Sequence, residues 1–278
     1  ERNASLFVQE EKKSDTPELP ELATEPETIY PAEQNELPYD IVVERLRVNE
    51  AERPEPEPIT ANFRITDEHL GEGGPKQKFR ANIMAIQLLK KCEEENRPAT
   101  PDEQKILSGY VGWGGLADAF DERKGNWATE YLELKTVLTP EEYTAARAST
   151  LNAHYTSPTV IHAIYDAVEQ MGFRQGNILE PSMGVGNFFG LLPESMQQSR
   201  LYGVELDSIS GRIAKKLYPN AEITVAGFET TDRRDFYDLA VGNVPFGDYK
   251  VNDKPYNKLG FSIHNYFFAK ALDQVRPG

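Results

Sequence analysis

Cysteine is almost missing from this 278-residue chain: Cys92 stands alone, so no internal disulfide can hold the fold and a reducing cytosol is the expected setting. Histidine is nearly as scarce, at four residues, and no grouping of His, Cys, Asp and Glu has the spacing of a metal site. His154 and His162 read as helix-flanking or surface residues, and no metal is expected. No apolar run approaches the length of a bilayer span, and the first residues are acidic and polar where an export signal would be basic and then apolar. A soluble, cytoplasmic protein with no membrane partner is expected. Positive charge is also short, with 30 Lys and Arg against 45 Asp and Glu and a net charge of −15. Because phosphate neutralisation dominates affinity for nucleic acid, that balance excludes tight DNA binding by this chain alone.

The charge is uneven. Residues 1–60 hold 16 acids and 6 Lys or Arg, a net of −10, leaving −5 for the rest. Their repeated Pro and Glu, as in Pro54-Glu55-Pro56-Glu57-Pro58, disfavour helix interiors and bury little, so 1–60 reads as an extended acidic linker. Tyr39 to Val48 is a more apolar stretch within it. From about Asn62 the pattern turns helical, with Phe79, Ile83, Ile86 and Leu89 on one face. Thr100-Pro101-Asp102-Glu103 and Thr139-Pro140-Glu141-Glu142 each place Thr at a cap, Pro in the first turn and Glu three residues past the cap. Residues 61–150 therefore read as a helical subdomain, in which Gly109-Tyr110-Val111-Gly112-Trp113-Gly114-Gly115-Leu116 reads first as a packed corner, with contact to nucleic acid or cover over the cofactor as the alternative.

Residues 151–278 alternate strands with helices. Ser157 caps a helix that opens on Pro158 and turns Val160, Ile161, Ile164, Tyr165 and Val168 inward. Strands are expected at about 177–180, 201–205, 222–226 and 237–242, with a helix from about Ser208 to Leu217 and a short or Pro193-interrupted one over Asn187 to Gln198. A final helix, Ser262 to Val275, directs Phe267, Phe268, Ala271 and Leu272 inward. This order predicts an α/β, Rossmann-like doubly wound sheet behind the helical subdomain.

Two strand ends carry candidate chemistry. The run Asn177 to Glu180 enters Pro181-Ser182-Met183-Gly184-Val185-Gly186-Asn187-Phe188, a Gly-rich turn that lets backbone approach a ligand at the carboxyl end of a parallel strand. Glu205 follows Glu180 by 25 residues, at the end of the next strand. Gly184, Gly186 and Gly190 give G-x-G-x-x-x-G, one residue too long for a dinucleotide fingerprint. The second strand end delivers Asn243-Val244-Pro245-Phe246-Gly247 into a loop. The Asn243 side-chain oxygen and the Val244 carbonyl offer acceptors for the two N–H groups of a planar amine, and Phe246 a face on which a base taken out of its duplex can stack.

These blocks resemble, in order over Asn152 to Gly247, the S-adenosylmethionine-dependent amino-methyltransferases of the Asn-Pro-Pro-Tyr/Phe type, chiefly the DNA adenine-N6 enzymes. His154-Tyr155-Thr156-Ser157-Pro158 resembles the first cofactor block. Glu180 to Phe188 resembles the Asp-Pro-x-x-Gly-x-Gly loop, and Tyr202 to Asp207 the strand ending in the ribose-binding acid. The resemblance implies a class I methyltransferase sheet and S-adenosylmethionine as cofactor. It assigns catalysis to Asn243, Val244, Pro245 and Phe246. It assigns cofactor contacts to Tyr155, Thr156, Glu180, Pro181, Ser182, Gly184, Gly186, Asn187, Phe188, Glu205, Leu206, Gly227, Phe228 and Asn243. Glu180 would face the ammonium, Glu205 the ribose diol and Phe228 the adenine.

The pattern departs from the family at two positions. Val244 stands in place of the first Pro, and Gly227 where many relatives carry Asp, with Glu229 two residues on. The implied reaction is methyl transfer to the N6 amine of a flipped adenine. Alternatives are the same chemistry on RNA or a protein glutamine, and a methylase-like scaffold without activity. Residues from about 60 onward also resemble the N-terminal region of large phage, plasmid or conjugative-element proteins in which such a methylase precedes a helicase. That implies DNA as a partner, with helicase or target-recognition regions elsewhere, and a chain that ends where the family's fifth strand begins. Lys250, Lys254 and Lys258 would meet phosphates, Tyr249 and Tyr256 would stack on neighbouring bases or close the loop, and Arg212, Lys215 and Lys216 form a solvated helix face.

Overall fold

The capping signals form as their chemistry requires. In the computed structural model, which describes residues 61–67, 69, 71–150 and 155–277, the Thr100 hydroxyl accepts from the Glu103 amide at 3.3 Å while the Glu103 carboxylate accepts from the Thr100 amide at 2.8 Å. Thr139 and Glu142 repeat the exchange at 3.2 and 3.0 Å. These boxes start helices α2 (Pro101–Ser108) and α4 (Pro140–Ser149). Around them lie α1 (Pro75–Glu94) and α3 (Ala128–Val137). The acidic segment 1–60 with Tyr39 to Val48, and the block residues Asn152 to His154, lie outside the described residues.

Helix α1 buries Phe79, Ile83, Ile86 and Leu89, the face its spacing predicts. Trp113 is 2 % exposed and meets Phe79, Tyr110 and Phe120 edge-on at 5.3–6.4 Å between ring centres, so the Gly-rich loop is a packed corner. Edge-on contacts of this kind each add about 0.5–1.5 kcal/mol beyond the area they bury.

The second half builds a four-stranded parallel sheet. Helix α5 (Pro158–Gln170) leads to β1 (Asn177–Glu180); α6 (Asn187–Gly190) leads to β2 (Arg200–Glu205); α7 (Ser208–Leu217) leads to β3 (Glu222–Val225); then β4 (Leu239–Ala240) and α8 (Ile263–Gln274) follow. The sheet order is β3-β2-β1-β4, and every pairing is parallel. On the far side of β4, Tyr237 forms a parallel bridge with Val275. The fourth strand is shorter than expected because its ladder to β1 holds only Ile178–Leu239 and Leu179–Ala240; beyond Val241 the backbone turns away at Gly242, φ +154°.

Three side-chain expectations are corrected. Val160 is 48 % exposed, and α5 turns Ile161, Tyr165 and Val168 inward. On α8, Phe268 and Leu272 are 57 % and 74 % exposed, while Ile263, Tyr266, Phe267 and Lys270 are buried; the inward stripe is rotated toward the loop that precedes the helix. Arg212 is no solvated face residue. Its guanidinium holds both Glu93 oxygens at 2.6–2.8 Å and Glu142 at 2.7 Å, and Lys90 reaches the other Glu142 oxygen at 2.8 Å. Lys216 donates to the Arg97 carbonyl at 2.6 Å. These bonds tie α7 to α1 and α4, and the described residues form a single compact unit.

Candidate active site

In the order β3-β2-β1-β4 the chain leaves β1 in one direction to β2 and β3 and returns on the other side as β4. A crevice opens at such a switch point, outside the carboxyl ends of the strands. Here those ends are Glu180, Glu205 and the segment after Ala240.

On the β1–β2 side the Gly-rich turn is folded back onto the sheet. The Met183 amide donates to the Val204 carbonyl at 3.0 Å, and the Gly184 amide donates to Glu205 Oε2 at 2.7 Å. Gly184 and Gly186 have φ of +57° and +87°, the left-handed region that a side chain rarely tolerates. A Cβ on Gly184 would also come within 3.1 Å of the Tyr155 ring. Glu205 takes a second backbone donor, Asp207, at 2.7 Å. The Tyr155 and Tyr110 hydroxyls lie beside Ser210 and near the Glu205 and Asp207 charges; burial pushes both phenols up. Thr156 is half-buried at the mouth of α5, and Leu206 is 77 % exposed beside Glu205.

The two acids are unusual. Glu180 is 2 % exposed, and its Oε2 has no partner; burial, and then the neighbouring Glu205 charge, hold its carboxyl well above the ordinary range. Burial lifts Glu205 to about 7, against the lowering effect of the Asp207 and Gly184 amides. An acid whose folded pKa is raised stabilises the fold below its unfolded value, near 4.5, and loses that contribution as pH rises through 7. The free protein is therefore expected to be about 1.4 kcal/mol less stable at pH 8 than at pH 6 from Glu205 alone. Denaturant melts of wild type and Glu205→Gln at both pH values check this; equal pH dependence in the two proteins refutes it.

On the β1–β4 side, Gly242 passes close to the first acid: a Cβ on it would sit 3.3 Å from Glu180 Cγ. The Ser182 hydroxyl then donates to the Asn243 carbonyl at 2.9 Å. This bond brings the two loops together and fixes the Asn243 main chain. The Asn243 side chain is exposed. Val244 packs against the second apolar cluster, around Leu179, Phe228 and Tyr266, so burial restrains the backbone that a Pro ring would otherwise restrain. Pro245 is half-buried. Phe246 is 65 % exposed, its ring 6.2 Å from that of His264.

Several expected contacts fall elsewhere. Phe188 is 2 % exposed and packs edge-on against Tyr165, so it supports the Gly-rich turn from below. Phe228 is 3 % exposed and stacked on Phe267 at 5.0 Å; its face is taken by the core and is not free for an adenine. Pro181 is buried, and Asn187, half-buried, opens α6. The Glu229 carboxylate lies where a Cβ on Gly227 would be, so the acid two residues on occupies the space that a side chain at 227 would fill. Tyr256 is 9 % exposed and donates to Asp273 at 2.8 Å; it closes the loop, whereas Tyr249 is 50 % exposed. Lys250, Lys254 and Lys258 are exposed. Ser210 sits in no recognisable block, whereas Tyr110 belongs to the Gly-rich loop 109–116 and reaches this end of the sheet through the docking of α2 against α7.

No protein-family model matches the chain. Over 214 residues, 75 % of this chain, it is 28 % identical to the defense against restriction protein B of Escherichia phage P1. Over 79 residues, 28 % of this chain, it is 39 % identical to the type II methyltransferase M.CvrRI of Paramecium bursaria Chlorella virus XZ-6E. The chain spans 8 % and 21 % of the length of these two curated relatives. Among solved structures it is similar to one described as a class I S-adenosylmethionine-dependent methyltransferase from Listeria monocytogenes, with 14 % identity, a TM-score of 0.39, and coverage of 73 % of this chain and 72 % of that one.

Proposed function

We propose that this chain is a class I methyltransferase and that it methylates the N6 amine of an adenine in DNA with S-adenosylmethionine as cofactor. The observation that carries the reading is the joining of the two strand ends: Ser182, in the Gly-rich turn, bonds the carbonyl of Asn243, the first residue of the amine-holding loop. Cofactor turn and amine acceptors are thereby held at one crevice.

The residues present fit the cofactor. Glu180 Oε2 is a buried acceptor without a partner, suited to an ammonium. Glu205 ends β2 beside the turn with two backbone amides fixing its carboxylate, suited to a ribose diol, and exposed Leu206 adjoins it for an adenine ring. When bound, S-adenosylmethionine supplies an electrophilic methyl group on its sulfonium.

The chain's own part is to make the amine a nucleophile. An exocyclic adenine nitrogen is unreactive because its lone pair is delocalised into the ring. Asn243 Oδ1 and the Val244 carbonyl accept its two N–H groups and draw the nitrogen toward a tetrahedral shape, with the lone pair directed to the crevice. Phe246, exposed beside them, provides the stacking face for a base that has left its duplex, a contact worth about 1–3 kcal/mol. Lys250, Lys254 and Lys258 meet the adjoining phosphates. With a net charge of −15 these local cations confer only weak affinity, and helicase or target-recognition regions of a longer protein would supply the remainder.

The test is transfer of labelled methyl from S-adenosylmethionine to duplex DNA, single-stranded DNA, RNA and a glutamine-bearing protein, followed by nucleoside digestion. Label recovered as N6-methyladenosine's deoxy form from DNA is expected. Label in RNA or protein instead moves the substrate, and bound cofactor with no transfer to any acceptor refutes the enzymatic reading.

A further inference from the structure

After Phe246 the chain runs as a long loop to α8, and a buried charge pair holds that loop. Asp253 is 8 % and Lys270 3 % exposed. Lys270 Nζ and the Tyr266 hydroxyl both donate to Asp253 Oδ2 at 2.7 Å. The Lys270 ammonium lies 5.3–5.9 Å from the ring centres of Phe228, Tyr256 and Tyr266. The Asp253 carbonyl accepts from the Tyr256 and Asn257 amides at 2.9 Å, and its own amide donates to Asn257 Oδ1 at 2.9 Å. One residue thus ties the middle of the loop to α8 through its side chain and closes the local turn through its backbone.

A buried ion pair is weak evidence of a gain in stability, since an apolar pair of the same volume often serves as well. What this pair does supply is direction. Asp253 joins the loop to both donors on α8, while Tyr249, Lys250, Lys254 and Lys258 of the same loop are exposed, as Phe246 is. The loop and α8 also line a hollow of about 230 Å³, with Lys250, Asn252, Tyr256, Phe261 and Tyr266 in its wall.

We propose that Asp253, held by Lys270 and Tyr266, is a positioning residue that sets the loop from Gly247 to Gly260 as the surface receiving the nucleotide strand beside the target amine. This rests on the methyl-transfer reading above. Asp253 touches no reacting atom; it acts through the placement of Phe246 and the loop cations. Its loss should therefore disturb the nucleic-acid side of the reaction and leave the cofactor side intact.

The test uses the double variant Asp253→Asn/Lys270→Met, which removes both charges and so buries no lone ion, with Tyr266→Phe as a milder second variant. The double variant is expected to bind S-adenosylmethionine within about twofold of wild type and to melt close to it. Its KM for DNA should rise, or its kcat fall, at least tenfold, and the amides of residues 248–260 should exchange with deuterium at least tenfold faster while those of 178–180 and 201–205 do not change. Tyr266→Phe should fall between the two. Unchanged loop exchange overturns the anchoring, and faster exchange with unaltered kinetics overturns the positioning role. A wild-type protein that binds cofactor but methylates no nucleic acid overturns the underlying methyl-transfer reading and the substrate half of this proposal; loop exchange in the double variant still decides the anchoring half.

Discussion

Asn243→Ala is expected to lower methyl transfer by about 10²–10³, the loss measured when one preorganised hydrogen-bonding group is removed from a developing charge, while cofactor affinity and melting temperature stay near wild type. The separation follows from how the residue is held. Its main chain is fixed by the Ser182 hydroxyl at 2.9 Å and by Val244 packing into the apolar cluster, and neither contact uses the Asn243 side chain. That side chain is exposed, so its truncation opens no cavity and leaves no buried donor. Asn243→Asp is expected to be nearly as damaging, because a carboxylate keeps the acceptor but sets a full negative charge against the phosphates of the incoming strand. Single-turnover transfer rates, beside calorimetric titration of S-adenosylmethionine, separate the two effects. If Asn243→Ala transfers methyl at the wild-type rate, the amine is held by other groups and the assigned roles of Asn243 and Val244 are wrong.

What the sequence made legible was local. The strand Asn177–Glu180 and the helix Ser208–Leu217 lie where the sequence places them, because apolar runs, caps and glycines act within a few residues. The two acids could be placed at strand ends for the same reason. Less legible was everything decided by contacts distant in sequence. Arg212 reads as a helix-surface residue until α1 arrives with Glu93, 119 positions away. Phe268 reads as inward, since hydrophobicity alone ranks it so. The observed rotation of α8 exposes Phe268 and buries Lys270, whose ammonium donates to Asp253 Oδ2 among the rings of Phe228, Tyr256 and Tyr266, the partner that a buried charge requires. Phe228 looked available to a ligand because no local signal announces Phe267 as its partner. Glu229 was legible as a nearby acid, but its folding into the space over Gly227 is a matter of side-chain path, to which spacing is blind.

Glu205→Ala is expected to weaken S-adenosylmethionine binding at least about a hundredfold, the loss of two hydrogen bonds to a charged acceptor at about 1.5–3 kcal/mol each, and yet to leave the free protein folded. The second half of that expectation is the more informative. Glu205 sits in a site that lifts its pKa to about 7 because burial disfavours its charge; above that pH the ionised carboxylate is a cost that the free fold carries and that a bound cofactor offsets. Removing it relieves this cost at pH 8 and forfeits the Gly184 and Asp207 amide bonds, so the two effects partly cancel. The same linkage predicts that wild-type cofactor affinity rises about tenfold from pH 6 to pH 8, since binding to the ionised acid must release a proton held with a pKa near 7. In Glu205→Gln that pH dependence should shrink to whatever Glu180 contributes. Titration of S-adenosylmethionine in two buffers of different ionisation enthalpy counts the protons directly. Proton release that persists unchanged in Glu205→Gln assigns the linkage to Glu180, and tight binding by Glu205→Ala would remove the ribose from this end of β2.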